Sequence, residues 1–400
     1  MDMQDLENVE FGASLKKQEF LLKEKCVHLN HGSYGTVPRR VYEYRLTILK
    51  EQEENPDFWY RKIIQKYWND SKAALCKFVN VKHTDCMVFV ENATTGASAV
   101  LKSLKFLKGD IILGTNLTYQ GVKNLVQYIV ETREGVESRF LEITLPIKTK
   151  DDIINLYRDY LKNNKNVKIA VIDYITSPSA ILMPVKEIIE VCRQHGVLTL
   201  IDGAHSPGQI ELNLDELGAD FFVGNLHKWL FAPRGCAILY VAKQHTDKIH
   251  VLNSSWHLYE GLNAEFINNG TRDHTPFFCA QASLNFFESI GGFEKVYGYN
   301  KKLIREGSDY LMKLWGTDKQ DIPETMEAPF MINVQLPRLK GVINTSESLL
   351  KLKVHLMEKE NIIAAFVTYL GVNYCRLSCQ VYNTMDDFIK LGQAVEKLMI

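Results

Sequence analysis

Two ionisable residues follow apolar runs that are typical of buried strands. Lys228 lies in VGNLHKWLF (223–231), just after the run DFFVG, and Asp202 ends the run VLTLID. Burial lowers the pKa of a lysine amine and makes it a nucleophile that can form a Schiff base. A carboxylate at the end of a neighbouring strand can pair with a protonated ring nitrogen. Each residue alone also fits a structural role, as a lysine that reaches solvent from a strand end or an aspartate in a turn.

Four polar stretches are expected at the carboxyl ends of strands, where parallel sheets bind their ligands. These stretches are ENATTG (91–96), DYITSPS (173–179), IDGAHSPGQ (201–209) and GNLHKW (224–229). NATTG offers N–H groups and hydroxyls that favour a phosphate, although a plain capped helix shows the same pattern. The sequence has no GxxxxGK[ST], which argues against a nucleotide-binding P-loop. An amine, a carboxylate and a phosphate-binding turn together predict a site for pyridoxal phosphate (PLP).

The elements that would position these residues alternate along the chain. Apolar runs such as KIAVIDY (168–174) predict strands buried on both faces, and the amphipathic stretches between them predict crossover helices. We therefore expect an α/β fold, with a large three-layer α/β/α domain at 30–265 that contains a mainly parallel sheet. Residues 266–400 predict a smaller α+β domain, with strands in PFMINVQLP and NYCRLSCQVY and a helix in ESLLKLKVHLMEKE. The N-terminal segment 1–29 is expected to pack on the small domain.

Composition restricts the possible partners. The 400 residues are 46% apolar and 24% charged, with a formal net charge of −1, which implies no nucleic acid partner. The apolar runs are too short for a membrane helix, and the mixed charge at the N-terminus argues against a secretory or mitochondrial leader. The eight cysteines form no CxxC pair. We therefore expect reduced thiols, no metal site and a cytoplasmic protein, with access to the nucleus left open.

Several motifs resemble one enzyme family. The segment 201–241 (IDGAHSPGQIELNLDELGADFFVGNLHKWLFAPRGCAILYV) resembles class V, fold-type I PLP enzymes. HLNHGSYGTVP (28–38) is similar to the N-terminal motif of their isopenicillin N epimerase-like branch. NATTG, DYITSPSAILMPV, NNGTRDHTPF and CRLSCQVYN match in the same order, so the resemblance extends over residues 28–383.

The resemblance implies a role for each matching residue. Lys228 would form the Schiff base with PLP, Asp202 would pair with the pyridine nitrogen, and His205 would lie near the ring and its phenolic oxygen. Tyr119 would stack on the ring. The residues implied in phosphate binding are Ala93, Thr94, Thr95, Asn225, His227 and, toward the neighbouring subunit of a homodimer, Thr271. The residues implied in binding an amino-acid substrate are Arg376, for the α-carboxylate, and Asn30, His31 and Tyr34, at the entrance.

Ordinary structural roles remain open for four of these residues. His205 and His227 fit hydrogen-bonded core histidines, and Tyr119 fits packing at a strand end. Arg376 lies among apolar residues, where a guanidinium needs an anionic partner. That partner is either a carboxylate of the protein or the carboxylate of a substrate.

The reaction is less specified than the cofactor. Removal of the α-proton by Lys228 permits elimination of a β-substituent, inversion of the α-carbon or transamination. We expect a carbon–sulfur β-lyase that acts on cysteine or a cysteine S-conjugate, as do the cysteine desulfhydrases and ergothioneine-pathway lyases of this branch. Elimination needs only a base, an electron sink and a leaving group. An epimerase, racemase or aminotransferase is the alternative.

Two further possibilities are disfavoured. A cysteine desulfurase needs a nucleophilic cysteine on a loop before Arg376, and residues 316–345 contain none, although Cys375 adjoins that arginine. A PLP-binding protein without catalysis would be expected to lose at least one of Lys228, Asp202 and Arg376, and all three are present.

Overall fold

The apolar runs of the sequence form short strands joined largely by helices. The fold is described from a computed structural model, which covers residue 6 and residues 9–400. Its strands are β1 (Val27–His28), β2 (Met87–Val90), β3 (Ile111–Thr115), β4 (Glu137–Leu141), β5 (Val167–Asp173), β6 (Leu198–Asp202), β7 (Phe221–Asn225), β8 (Ala237–Val241), β9 (Met331–Gln335), β10 (Ile362–Ile363), β11 (Ala365–Tyr369) and β12 (Val372–Ser378).

Seven of these strands form the central sheet, in the order β2–β8–β7–β6–β5–β3–β4. β8 runs antiparallel to its neighbours β2 and β7, whereas every other pair is parallel. The predicted α/β fold with a mainly parallel sheet is therefore confirmed. The reversal of β8 follows from its short connection, because residues 226–236 are too few for the helical crossover that a parallel neighbour needs.

Along the chain, helices precede, separate and follow most of the strands. They are α1 (Ala13–Glu19), α2 (His31–Tyr34), α3 (Arg39–Glu54), α4 (Pro56–Phe58), α5 (Ile64–Phe78), α6 (Ala93–Ser103), α7 (Gln120–Thr132), α8 (Lys150–Asn163), α9 (Val185–Gln194), α10 (Leu214–Leu217), α11 (Leu226–Trp229), α12 (Leu262–Ile267), α13 (Thr275–Ser289), α14 (Gly292–Trp315), α15 (Ser346–Lys359) and α16 (Met385–Glu396). No helix in the described residues is both long enough and apolar enough to cross a membrane.

A second, smaller sheet lies near the C-terminus. It has the antiparallel order β11–β12–β9. Its apolar face shares a core with α14, α15 and α16, which is separate from the larger core around the central sheet. β9, β12 and α15 coincide with the strands and the helix that the sequence predicts for this part of the chain.

The N-terminal segment contacts the C-terminal part of the chain. β1 pairs in parallel with β10, and the Gly12 N–H donates to the Val381 carbonyl at 2.7 Å. Residues 1–5, 7 and 8 of the predicted segment lie outside the described residues. α13 follows the boundary predicted near residue 265, packs against α3 and α5, and contributes Phe277 and Phe286 to the larger core.

Candidate active site

The carboxyl ends of the central strands open into a cavity of about 540 Å³. Residues that follow β2, β3, β5, β6 and β7 form one side, and α2 and β12 complete it. The predicted site residues that line the cavity are Tyr34, Ala93, Thr94, Thr95, Tyr119, Asp202, His205, Asn225, His227, Lys228 and Arg376. Asn30, His31 and Thr271 lie outside the lining.

The Lys228 amine faces His205 in this cavity. β7 ends at Asn225 and the single turn α11 follows at once, which brings Lys228 to the edge of the sheet. Its Nζ lies 3.0 Å from Nε2 of His205. Burial and then the charge of Arg376 lower the pKa of Lys228 to about 7, while Asp202 opposes the shift. A large share of the amine is therefore unprotonated and nucleophilic near neutral pH.

Asp202 has a second buried carboxyl beside it. Asp173, the last residue of β5, pairs in register with Asp202, the last residue of β6, and both line the cavity. Burial raises the pKa of Asp202, and burial together with the charge of Asp202 raises the pKa of Asp173 well above its ordinary value. Oδ1 of Asp202 accepts from the Ala204 N–H at 3.0 Å. A cation next to the carboxyl groups of Asp173 and Asp202 would be strongly stabilised.

Asp173 was not predicted as a site residue. The available signal was its position, because it ends a buried apolar run in the same way that Asp202 does. Which strands are neighbours, and in which register, is not visible in the sequence.

The N-terminus of α6 points its first N–H groups toward the cavity. Asn92 caps the helix by accepting from the Thr95 N–H at 2.9 Å, and Oδ1 of Asn225 accepts from the Ala93 N–H at 2.9 Å. These two contacts engage N–H groups that were expected to bind phosphate. Thr94 remains exposed in the cavity, at a helix end that favours an anion.

Arg376 brings a buried guanidinium to the opposite side of the cavity. Nη1 donates to the Ser177 carbonyl at 2.6 Å, and Nη2 donates to Oδ1 of Asn30 and Oγ of Ser33, each at 3.1 Å. Among the described residues, Nε has no hydrogen-bond partner and no carboxylate forms a salt bridge with this guanidinium. Burial lowers the pKa of Arg376 to about 10, so it stays charged at neutral pH.

Two residues that were predicted to bind substrate contact other site residues and do not line the cavity. Asn30 orients the Arg376 guanidinium through its amide oxygen. His31 is fully buried, with Nδ1 2.9 Å from the Tyr382 hydroxyl and Nε2 2.5 Å from the Lys228 carbonyl. Burial lowers the pKa of His31 to about 3, so the ring is neutral. The motif predicts His31 at the entrance, because a sequence does not show that both ring nitrogens have hydrogen-bond partners within the protein.

The exposed aromatic residues lie where the cavity meets solvent. Tyr34 is 72% exposed and Tyr119 is 44% exposed. Thr271 is also exposed, in the loop before α13, and does not reach the cavity of its own chain. The adjacent Arg272 forms a salt bridge with Glu91, which immediately precedes the NATTG turn.

Comparisons with known proteins define the class. The family model for aminotransferase class-V matches residues 59–391, and the chain belongs to this family. An Arabidopsis thaliana protein described as a probable chloroplastic L-cysteine desulfhydrase is 32% identical, with 93% of this chain and 82% of the relative covered. The hercynylcysteine sulfoxide lyase of Schizosaccharomyces pombe is 27% identical, with 98% of each chain covered. The solved cystine C–S lyase C-DES shares the fold, with a TM-score of 0.76, 19% identity, and 94% of this chain and 98% of that chain covered.

The cavity fits the cofactor of this family, pyridoxal phosphate. The partly unprotonated Lys228 suits the aldehyde, the buried Asp202 suits a protonated ring nitrogen, and the helix end at Thr94 suits the phosphate. No group of His, Cys, Asp and Glu within the described residues could hold a metal ion. The family match, together with the fit of these cavity residues, identifies PLP as the cofactor of this protein.

Proposed function

We propose that the protein is a PLP-dependent carbon–sulfur β-lyase that acts on cysteine or an S-substituted cysteine. The observation that carries the proposal is Arg376, a buried guanidinium in the cofactor cavity that has no carboxylate partner among the described residues. Burying an unpaired charge is costly, so a ligand with an anionic group is expected to complete the site. The names of the relatives supply the substrate class, since two of them describe cleavage of a bond to cysteine sulfur.

Each of three cavity residues would have a separate role in the reaction. PLP, when bound, supplies an electron sink that weakens the bonds to the α-carbon of an amino acid. Arg376 binds the α-carboxylate with its planar guanidinium and so orients the α-carbon. Lys228, whose amine is partly unprotonated near neutral pH, would act as the base that takes the α-proton. Asp202 keeps the ring nitrogen protonated.

The products follow from the bond that breaks next. The bond between the β-carbon and sulfur breaks, and the sulfur leaves with the electron pair and takes up a proton. The remaining unsaturated amino acid consumes one water molecule and yields pyruvate and ammonia. L-Cysteine would give hydrogen sulfide as the third product, and an S-substituted cysteine would give the corresponding thiol or sulfenic acid.

The cysteines argue for elimination over sulfur transfer to the protein. All eight lie within the described residues, seven are buried, and none lines the cavity. Burial raises the pKa of Cys375, the cysteine nearest to Arg376 in sequence, so its thiol is a poor nucleophile. A cysteine desulfurase would need a thiolate that reaches the substrate sulfur.

A product assay tests the proposal. The PLP-loaded protein would be given L-cysteine and a panel of S-substituted cysteines, including hercynylcysteine sulfoxide, without a keto-acid acceptor. Pyruvate and ammonia in equal amounts are expected. Alanine without pyruvate would indicate a desulfurase, and solvent deuterium at the α-carbon without pyruvate would indicate an epimerase or racemase. Turnover only after a keto acid is added would indicate an aminotransferase.

We also propose a homodimer in which Thr271 reaches the phosphate site of the partner subunit. Thr271 is exposed and lies beside Arg272, which is tied to the start of the NATTG turn through Glu91. Thr271→Val and Lys228→Ala chains would be mixed after each alone has been shown to lose activity. A mixed dimer contains one intact site only if Thr271 acts on the partner, so recovered activity is expected. A monomer with full PLP affinity would contradict the proposal.

A further inference from the structure

Trp229, the residue after Lys228, contacts the ring of His205. Nε1 of Trp229 is 3.4 Å from Nδ1 of His205. An indole nitrogen can only donate a hydrogen bond, so Nδ1 of His205 must be the acceptor. Burial, and then the charges of Lys228 and Arg376, lower the pKa of His205 well below its ordinary value, so the ring is neutral. The single ring proton of His205 is therefore on Nε2.

That proton faces the lysine amine. Nε2 of His205 lies 3.0 Å from Nζ of Lys228. If Nε2 carries the proton, it donates to the lone pair of Nζ, and only the unprotonated amine has that lone pair. Because it is available only to the neutral form, this hydrogen bond favours neutral Lys228 over the ammonium ion.

We propose that Trp229 is a positioning residue, whose indole N–H holds His205 in the tautomer that donates from Nε2 to the amine of Lys228. The inference rests on the proposed role of Lys228 as the residue that binds PLP. It adds a residue that does not line the cavity but controls the protonation state in which the lysine meets the cofactor.

The indole has little freedom to turn away from His205. Trp229 is fully buried, with its ring centroid 5.3 Å from that of His31 and 5.7 Å from that of Phe330. A Cβ at Gly32 would lie 3.0 Å from the indole, so the glycine leaves room for it. His205 is held as well, because Gln209 donates to its carbonyl at 2.7 Å. Packing on both sides therefore preserves the contact.

Other charged and titratable groups act on the same pair. Asp202 on β6 acts on Lys228, His227 on α11 acts on His205, and Arg376 on β12 acts on both. Two more groups lie close by: Asp173 on β5 pairs in register with Asp202, and His31 on α2 contacts the Lys228 carbonyl. Trp229→Phe removes none of them. It removes the donor to Nδ1, so the His205 proton can move to Nδ1 and Nε2 becomes an acceptor. An acceptor at 3.0 Å favours the ammonium form of Lys228, so the Lys228 pKa should rise above 7.

The test follows Schiff-base formation. Full-length protein freed of cofactor would be mixed with PLP over a pH range centred on the Lys228 pKa, and the rate would be followed by visible absorbance. For Trp229→Phe we expect the midpoint of the pH–rate curve to move up by about one unit, which makes the reaction about tenfold slower below both midpoints. An unchanged or lowered midpoint would overturn the inference.

Two controls separate the hydrogen bond from packing. Trp68→Phe makes the same change at a fully buried tryptophan whose Nε1 has no partner among the described residues, and it should leave the midpoint unchanged. In a His205→Asn background, Trp229→Phe should cause no further shift, because the tautomer it controls is gone. A further shift in that background would assign the effect to packing.

A measurement on the unaltered protein keeps the inference falsifiable if Trp229→Phe does not fold. Nitrogen-15 chemical shifts distinguish the two neutral histidine tautomers, and the His205→Asn spectrum identifies the signals of His205. A protonated Nε2 in the cofactor-free protein is expected, and a protonated Nδ1 would overturn the inference. If wild-type protein forms no Schiff base at all, the proposed function fails, whereas a normal Schiff base with protonated Nδ1 refutes only the role of Trp229.

Discussion

Arg376→Met tests the central element of the proposed function. The substitution keeps an apolar stem and removes a guanidinium that no protein carboxylate neutralises within the described residues. A carboxylate bound by two charge-assisted hydrogen bonds gains about 1.5–3 kcal/mol from each. Losing both costs about 3–6 kcal/mol, which is about a hundredfold to ten-thousandfold in kcat/KM.

The fall is expected only for substrates that carry a carboxylate. Initial rates of pyruvate release would give kcat/KM for L-cysteine. Cysteamine, which lacks the carboxylate, should change the visible absorbance of bound PLP equally in wild-type and variant protein. Arg40→Met is the matched control, because Arg40 pairs with Glu19 and lies outside the cavity. A fall of less than about tenfold, or an equal loss of cysteamine binding, would refute the assignment of Arg376 to the carboxylate.

Three further predictions concern ionisable residues of the cavity. Lys228→Ala should abolish both the visible absorbance of bound PLP and pyruvate release, and retained turnover would exclude Lys228 as the cofactor-binding residue. Lys228 has a pKa of about 7 when folded against an ordinary 10.5, so between these values the unfolded chain holds a proton that the folded chain lacks. The stability of the cofactor-free protein should therefore gain up to about 1.4 kcal/mol per pH unit across that window. Denaturant unfolding of Lys228→Met should lack this gain, and identical slopes would contradict the lowered pKa. The folded protein raises the pKa of Asp173 well above 3.8, so the folded state keeps a proton that the unfolded chain loses as pH rises. Asp173→Asn should therefore be more stable than wild type at neutral pH, with the difference vanishing below the ordinary Asp pKa, and a variant less stable at neutral pH would contradict this reasoning.

The sequence by itself determined the class of fold and the local parts of the site. Apolar runs of strand length predict strands buried on both faces, since side chains on both sides of such a strand must avoid water. Lys228, Asp202 and the NATTG turn each lie within a few residues of a strand end. Their positions at the ligand-binding edge follow from local chain geometry, so they could be recognised without knowing which strands are neighbours.

Tertiary structure alone decided the contacts between distant residues. Arg376 donates to the Ser177 carbonyl across 199 residues of sequence, and only the folded chain shows that no carboxylate of residues 6 and 9–400 pairs with it instead. The same holds for the pairing of Asp173 with Asp202, which depends on the order and register of β5 and β6.

Distant partners also engage groups to which local patterns assign a ligand-binding role. Asn225 lies 132 residues from Ala93 and occupies the N–H that was expected to bind phosphate. His31 lies within a motif that suggests an entrance, but Tyr382 and the Lys228 carbonyl engage both of its ring nitrogens. Residue type shows what a side chain can bind, whereas burial and long-range packing decide which of its groups remain free for a ligand.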